Sequence, residues 1–151
     1  MNAFLHGLRL ALSDAGAKGF GMKKLEVRKM ELGPIGTNAY LLWEEGGGEA
    51  VLVDAPPSCN HEIEPFLERH ELTLKEIWLT HGHWDHMAGA SELVRDGVAV
   101  LGHKADKMLF EQPSVMATFA IPGMDFLPVE ITRWIEEGEE LDLFGRSVSI
   151  F

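Results

Sequence analysis

The chain has a single cysteine, Cys59, in 151 residues. That excludes an intrachain disulfide and suits a reducing, cytoplasmic compartment. Basic residues are also scarce, with 13 Lys and Arg against 24 Asp and Glu and a formal net charge of -11. Nucleic acid and anionic membrane surfaces attract clustered Lys and Arg. No such cluster occurs, so neither is an expected partner. Acidity alone does not exclude phosphodiester chemistry, because a bound metal inverts the local field. No stretch approaches the roughly 20 apolar residues of a membrane-spanning helix. Internal repeats and low-complexity segments are absent. What remains is ordinary for a globular domain: 46% hydrophobic, 25% charged, and long enough for one core.

Residues 1–21 hold a short apolar segment without a basic leader. They read as an extension, from an upstream start or similar, ahead of a domain over 22–151. "LEVRKMEL" (25–32) alternates as a strand, "GPIGTN" is a turn, and 39–43 and 50–54 form a hairpin across "EEGGGE". Residues 60–70 carry Ile63, Phe66 and Leu67 at helical spacing, with Ser58 or Asn60 as cap and Pro65 near the start. A strand over 75–80 follows, then a helix over 87–94, a strand over 98–101 and a short helix over 104–111. Residues 112–133 read as a long excursion, a lid or partner surface. Residues 134–151 read as a hairpin turning through "EEGEE". The order predicts a layered α/β architecture.

The chemistry concentrates in "THGHWDHMAG", residues 80–89. His81 and His83 are two apart at a strand end, so their side chains point the same way and can grip one ion. Asp85 and His86 follow at the turn into a helix and suit a second ion. Imidazole favours Zn, Fe or Ni, and carboxylate widens the choice. Paired metals lower the pKa of a shared water and make a nucleophile at neutral pH. Asp85 is the candidate catalytic residue, ligating and orienting that nucleophile. The second nitrogen of each histidine needs an acceptor behind it. Asp54, at a strand end, is either that acceptor or a loop-capping aspartate. Burying so much polarity without a metal is costly. Gly82 lets the backbone turn between ligands, and Gly89 allows the next helix to approach closely.

This motif, with "GTNAYLLWEEGGGEAVLVDAP" ahead of it, resembles the metallo-β-lactamase superfamily, and most of all its glyoxalase II-like hydrolase branch. The resemblance spans residues 25–151. It differs at Ala55-Pro56-Pro57, where many members carry Pro-Gly. It implies an αββα sandwich, of which this chain carries the N-terminal half or slightly more. It assigns His81 and His83 to one divalent metal and Asp85 and His86 to another, with Zn as the leading ion and Fe or Mn as alternatives. It implies a small-molecule substrate, foremost a thioester or related ester, as in hydroxyacylglutathione hydrolysis. A persulfide dioxygenase using iron, a lactonase, a β-lactamase-like hydrolase and a catalytically silent metal-binding fragment are the alternatives.

Each ion is one protein ligand short of the usual three. The family fills the gap with a later histidine, a bridging aspartate and a last histidine. After His86 the chain has only His103, which in the family pattern lines the cleft at most. "GRSVSIF" has the character of the strand that leads into the missing loop, so a truncated product or the ordered part of a longer protein is expected. One sheet face would then lie bare, inviting a homodimer. Met108, Phe110, Met116, Phe119, Met124 and Phe126 either wall an acyl pocket or pack a long connection. Trp84 shapes the entrance or packs in the core. His61, His70 and the glutamates at 136, 137, 139 and 140 read as solvated. His6 has no assigned role, and Cys59 lacks a partner for nucleophilic work.

Overall fold

A computed structural model describes residues 12–13, 23–119, 121–124 and 126–150. The leader 1–21 therefore lies outside the described residues except for β1 (Leu12–Ser13). Among the described residues the main sheet has six strands: β2 (Leu25–Leu32), β3 (Thr37–Glu44), β4 (Glu49–Val53), β5 (Thr73–Leu79), β6 (Ala99–His103) and β7 (Arg133–Ile135). They lie side by side in chain order. The first three are antiparallel, and β4 to β7 run parallel. Parallel neighbours need crossovers. These carry α1 (Asn60–Arg69), then α2 (Trp84–Met87) with α3 (Ala90–Leu93), then a turn of 3-10 helix (Lys104–Asp106), α4 (Lys107–Glu111) and a second 3-10 stretch (Pro113–Phe119).

Strand alternation sorts the side chains to two faces. Ala39, Leu41, Ala50, Leu52, Ile77 and Leu79 pack with Ile63, Phe66, Met87, Leu93 and Phe110 of the helical layer. Leu42, Val51, Val53, Trp78, Leu101 and Ile135 face the other way. There they meet Leu141, Leu143, Val148 and Ile150. These belong to or flank a second sheet of β8 (Glu140–Leu143), β9 (Arg146–Ser149) and β1, in the order β1-β9-β8. Each such side chain, fully buried, contributes about 1.5–3 kcal/mol. The molecule is thus an α/β sandwich whose mixed sheet is flanked by helices on one face. The face expected to lie bare is covered at these positions by the second sheet. Arg146 links the two sheets by donating to Glu44 Oε1 at 2.9 Å and to the carbonyl of Lys23.

Several boundaries differ from the sequence reading. The expected helix over 87–94 is two short helices starting three residues earlier, broken around Gly89. A Cβ there would stand 2.1 Å from the Pro56 carbonyl oxygen and 2.8 Å from Cys59 Sγ, so the chain presses on the loop after β4 rather than on the sheet. Cys59 precedes α1 and supplies no side-chain cap, so neither Ser58 nor Asn60 caps it, and Pro65 lies inside the helix. Residues 134–135 do not pair with the later strand. They extend the main sheet beside β6. The hairpin instead turns at Phe144-Gly145, both at positive φ (53° and 80°), and Glu140 belongs to β8.

Candidate metal centre

The motif lies beyond the carboxyl ends of the parallel strands β4 and β5, where open α/β sheets place their ligands. Asp54 follows β4 and is fully buried, with φ 62°. A left-handed backbone is uncommon for a residue other than glycine, and aspartate tolerates it better than most. The conformation turns the carboxylate across to β5. Its Oδ1 accepts from the Thr80 amide at 2.8 Å, and its Oδ2 accepts from His86 Nδ1 at 2.7 Å. The Thr80 hydroxyl lies 2.9–3.0 Å from both carboxylate oxygens. Asp54 is therefore the acceptor behind a motif histidine, not a solvated loop cap.

These bonds fix tautomers. The single Thr80 hydroxyl proton goes to Asp54. Thr80 Oγ1 is then the acceptor for His81 Nδ1, 2.9 Å away. His81 Nε2 is left with its lone pair, directed at His83 Nδ1 at 3.1 Å. His86 gives its Nδ1 proton to Asp54, so its Nε2 also carries a lone pair. That nitrogen faces Asp85 Oδ2 at 3.3 Å. Asp85 Oδ2 already accepts from the Thr37 hydroxyl at 2.7 Å. Two acceptors facing each other at this distance repel unless a proton or cation lies between them.

The electrostatics agree. Burial, together with the charges of His86 and His83, lowers the His81 pKa below the usual histidine range. His86 is also pulled down by burial. The Asp54 hydrogen bond, and the charges of Asp54 and Asp85, outweigh that and raise it. The rings form one cluster, with His81 centred 4.5 Å from His83 and 4.1 Å from His86.

The four sequence-predicted residues thus come together as two pairs of donors, His81 with His83 and Asp85 with His86. Among the described residues no set of three His, Cys, Asp or Glu side chains is arranged to hold one ion. Three contributors went unnoticed in the sequence. Thr37 fixes Asp85, and Thr80 couples Asp54 to His81. Asp106 accepts the Gly82 amide at 3.0 Å. Gly82 does not serve chiefly to bend the chain. A Cβ there would lie 2.7 Å from Leu109 Cβ, so its role is close packing against α4. His103 caps the 3-10 turn by accepting from the Ala105 amide. His61 is exposed, and His70 stacks on Phe66 at 4.1 Å. Cys59 is buried, which pushes its thiol pKa up to about 12 and leaves it inert.

Two clefts open at the cluster. A polar one of about 440 Å³ contains all four residues with Thr37, Asn38 and Tyr40. An apolar one of about 580 Å³ shares only His83 and Asp85 with it. Of the apolar residues picked out after the motif, Met108, Met116 and Phe119 line this second cleft. Phe110 is in the core, and Phe126 stacks on Trp84 at 5.3 Å. Trp84 is itself buried and also lines the apolar cleft.

Residues 32–150 match the family model described as the metallo-beta-lactamase superfamily. The chain belongs to the metallo-β-lactamase superfamily. It is related to hydroxyacylglutathione hydrolases. It is 36% identical over 118 residues to the hydroxyacylglutathione hydrolase GloC of Haemophilus influenzae, covering 75% of this chain and 53% of that protein. It is 32% identical over 114 residues to a hydroxyacylglutathione hydrolase of Ruegeria pomeroyi, covering 74% of this chain and 36% of that one. Among solved structures it is similar to the B3 metallo-β-lactamase BLEG-1, with a TM-score of 0.68 and 26% identity over 83% of this chain and 60% of that one. It is also similar to a protein solved in a di-iron-bound form, with a TM-score of 0.62 and 30% identity over 78% and 57% of the two chains. The chain thus spans about half the length of the Haemophilus relative. No described helix is long and apolar enough to cross a membrane.

Proposed function

We propose that residues 81–86 are the first half of a dinuclear metal centre in a hydrolase that cleaves a thioester or related ester. The observation that carries this is the pairing of the donor atoms. His81 Nε2 and His83 Nδ1 lie 3.1 Å apart, and His86 Nε2 and Asp85 Oδ2 lie 3.3 Å apart. Ligand atoms around a tetrahedral ion with bonds of 2.0–2.1 Å are separated by roughly 3.3 Å. His81 and His83 would hold one ion, and Asp85 with His86 the other. Each pair leaves its ion one protein ligand short of a three-ligand catalytic site.

When bound, the metal pair supplies Lewis acidity, acidifying water and polarising an acyl carbonyl. The protein's own part is orientation. Asp54 holds the His86 ring with its Nε2 lone pair toward Asp85, and Thr80 holds His81 in the matching tautomer. Thr37 fixes the Asp85 carboxylate, which directs the attacking water. The apolar wall beside His83 and Asp85 limits water on the substrate side. Kinship with hydroxyacylglutathione hydrolases favours the thioester reading. Similarity to a protein solved with two irons keeps iron beside zinc as the resident ion.

The test is metal content and turnover of the longest natural form of the protein. Two ions per chain and hydrolysis of S-lactoylglutathione or a simple thioester are expected. Iron with oxygen uptake on a persulfide, and no thioester cleavage, would replace the hydrolase by the dioxygenase alternative. A protein without bound metal or turnover would be the silent form.

A further inference from the structure

The donor cluster is polar, but the space beside it is not. The second cleft is walled by Trp84, Met108, Leu109, Val115, Met116 and Phe119. Its volume, about 580 Å³, falls within the range of small-molecule sites, roughly 300–1,000 Å³. Three of these apolar side chains are unusually open to solvent: Met108 at 59%, Val115 at 46% and Phe119 at 82%. The cleft meets the donor cluster only at His83 and Asp85. Its wall is keyed to the ligand loop, because Asp106 accepts the Gly82 amide and Leu109 packs where a Gly82 side chain would stand. Among the described residues, neither cleft is lined by a lysine or arginine. A charged acyl tail would find no basic side chain along this apolar wall, while an alkyl chain would cover apolar surface already held open.

We propose that this cleft receives the uncharged apolar acyl chain of the substrate and presents its carbonyl at His83 and Asp85. The inference rests on the hydrolase reading above and narrows it. The preferred substrate is a thioester or ester of a medium-chain or aryl carboxylic acid, rather than of a short hydroxy acid. In the reaction the oxygen of water bonds to the acyl carbon and the carbon–sulfur or carbon–oxygen bond breaks. The departing thiol or alcohol takes the proton, and the acid is released. Two methionines suit such a pocket, since their unbranched side chains adapt to acyl groups of different shape.

The experiment is a chain-length series on the full natural protein loaded with metal. Acetyl, butyryl, hexanoyl and octanoyl thioesters are compared by kcat/KM. The expected rise is about fourfold per added methylene until the cleft is full. Met108→Ala and Phe119→Ala lower the octanoyl-to-acetyl ratio by roughly tenfold or more. In parallel, the methyl NMR signals of Met108 and Met116 are followed on titration with octanamide and with acetamide. Shifts with octanamide at concentrations where acetamide has no effect are expected. Turnover with a flat chain-length profile and unmoved methyl signals overturns the acyl cleft and leaves the hydrolase reading intact. Shifted methyl signals without turnover of any ester keep the cleft as an acyl site and sink the hydrolase reading. Methyl signals insensitive to octanamide because another part of the protein covers them overturn the proposal.

Discussion

Replacing Asp54 in turn by alanine, glycine and asparagine separates three roles that one buried side chain performs. Alanine removes the acceptor for the Thr80 amide, the Thr80 hydroxyl and His86 Nδ1. An orphaned buried amide alone costs about 1–3 kcal/mol. Alanine must also keep φ near 62°, which adds about 1–2 kcal/mol. The total for Asp54→Ala is then about 2–5 kcal/mol. Glycine loses the same hydrogen bonds but not the backbone strain. Its greater unfolded-state entropy offsets part of that relief, at about 0.5–1 kcal/mol. Asp54→Gly should therefore be more stable than Asp54→Ala by about 1 kcal/mol. Asparagine tolerates the backbone and still accepts from Thr80. Its amide hydrogens, however, face His86 Nδ1 and favour the opposite tautomer, which places a proton on Nε2 opposite Asp85. Loss of such an outer partner typically lowers metal affinity 10–100-fold, or about 1.4–2.7 kcal/mol. Urea unfolding reads the first two effects, and zinc titration against a chromophoric chelator reads the third. Alanine and glycine variants of equal stability would refute the strain argument. Wild-type zinc affinity in Asp54→Asn would refute the tautomer argument.

Two further predictions rest on packing and burial. Gly89→Ala brings a methyl to 2.1 Å from a backbone oxygen, so the loop after β4 must move. A loss of about 3 kcal/mol or more, beyond ordinary overpacking, is expected in thermal unfolding, and an unchanged Tm would contradict the close approach. Cys59, with its pKa pushed up from the reference 9.0 to about 12, should resist iodoacetamide at pH 8 until the protein unfolds. Its raised folded-state pKa favours the native state fully below pH 9. That contribution is lost between pH 9 and about 12, at about 1.4 kcal/mol per pH unit, and a Cys59→Ala variant should lose less stability over the same window.

Much of the frame was legible because its signals are local. The alternation of 25–32 gave β2 its full extent, and the glycine-rich break between 44 and 49 marked the next reversal. The four candidate ligands stood out because they are dense in sequence. Their supports were harder to see. Thr37 is 48 residues from Asp85, and a threonine at a strand start carries no chemical signature of its own. Asp54 was visible as a candidate because it ends an apolar strand, but which side chain it holds depends on the parallel pairing of β4 with β5. The last hairpin was misread for a physical reason. Phe144 adopts a left-handed backbone, while "EEGEE" carries the stronger turn composition. Gly82 read as a site of backbone freedom and Gly89 as a close approach of the next helix to the sheet, yet Gly82 needs no positive φ and Gly89 presses on the loop after β4 instead. Each makes room for a neighbour distant in sequence.

The most direct test of the metal centre is elemental analysis of the longest natural form, as wild type, as the double variant His81→Ala/His83→Ala and as Asp85→Ala/His86→Ala. Two ions per wild-type chain are expected, with one lost in each double variant while circular dichroism stays unchanged. A folded wild-type protein that binds no divalent metal, or variants that keep both ions, would contradict the account.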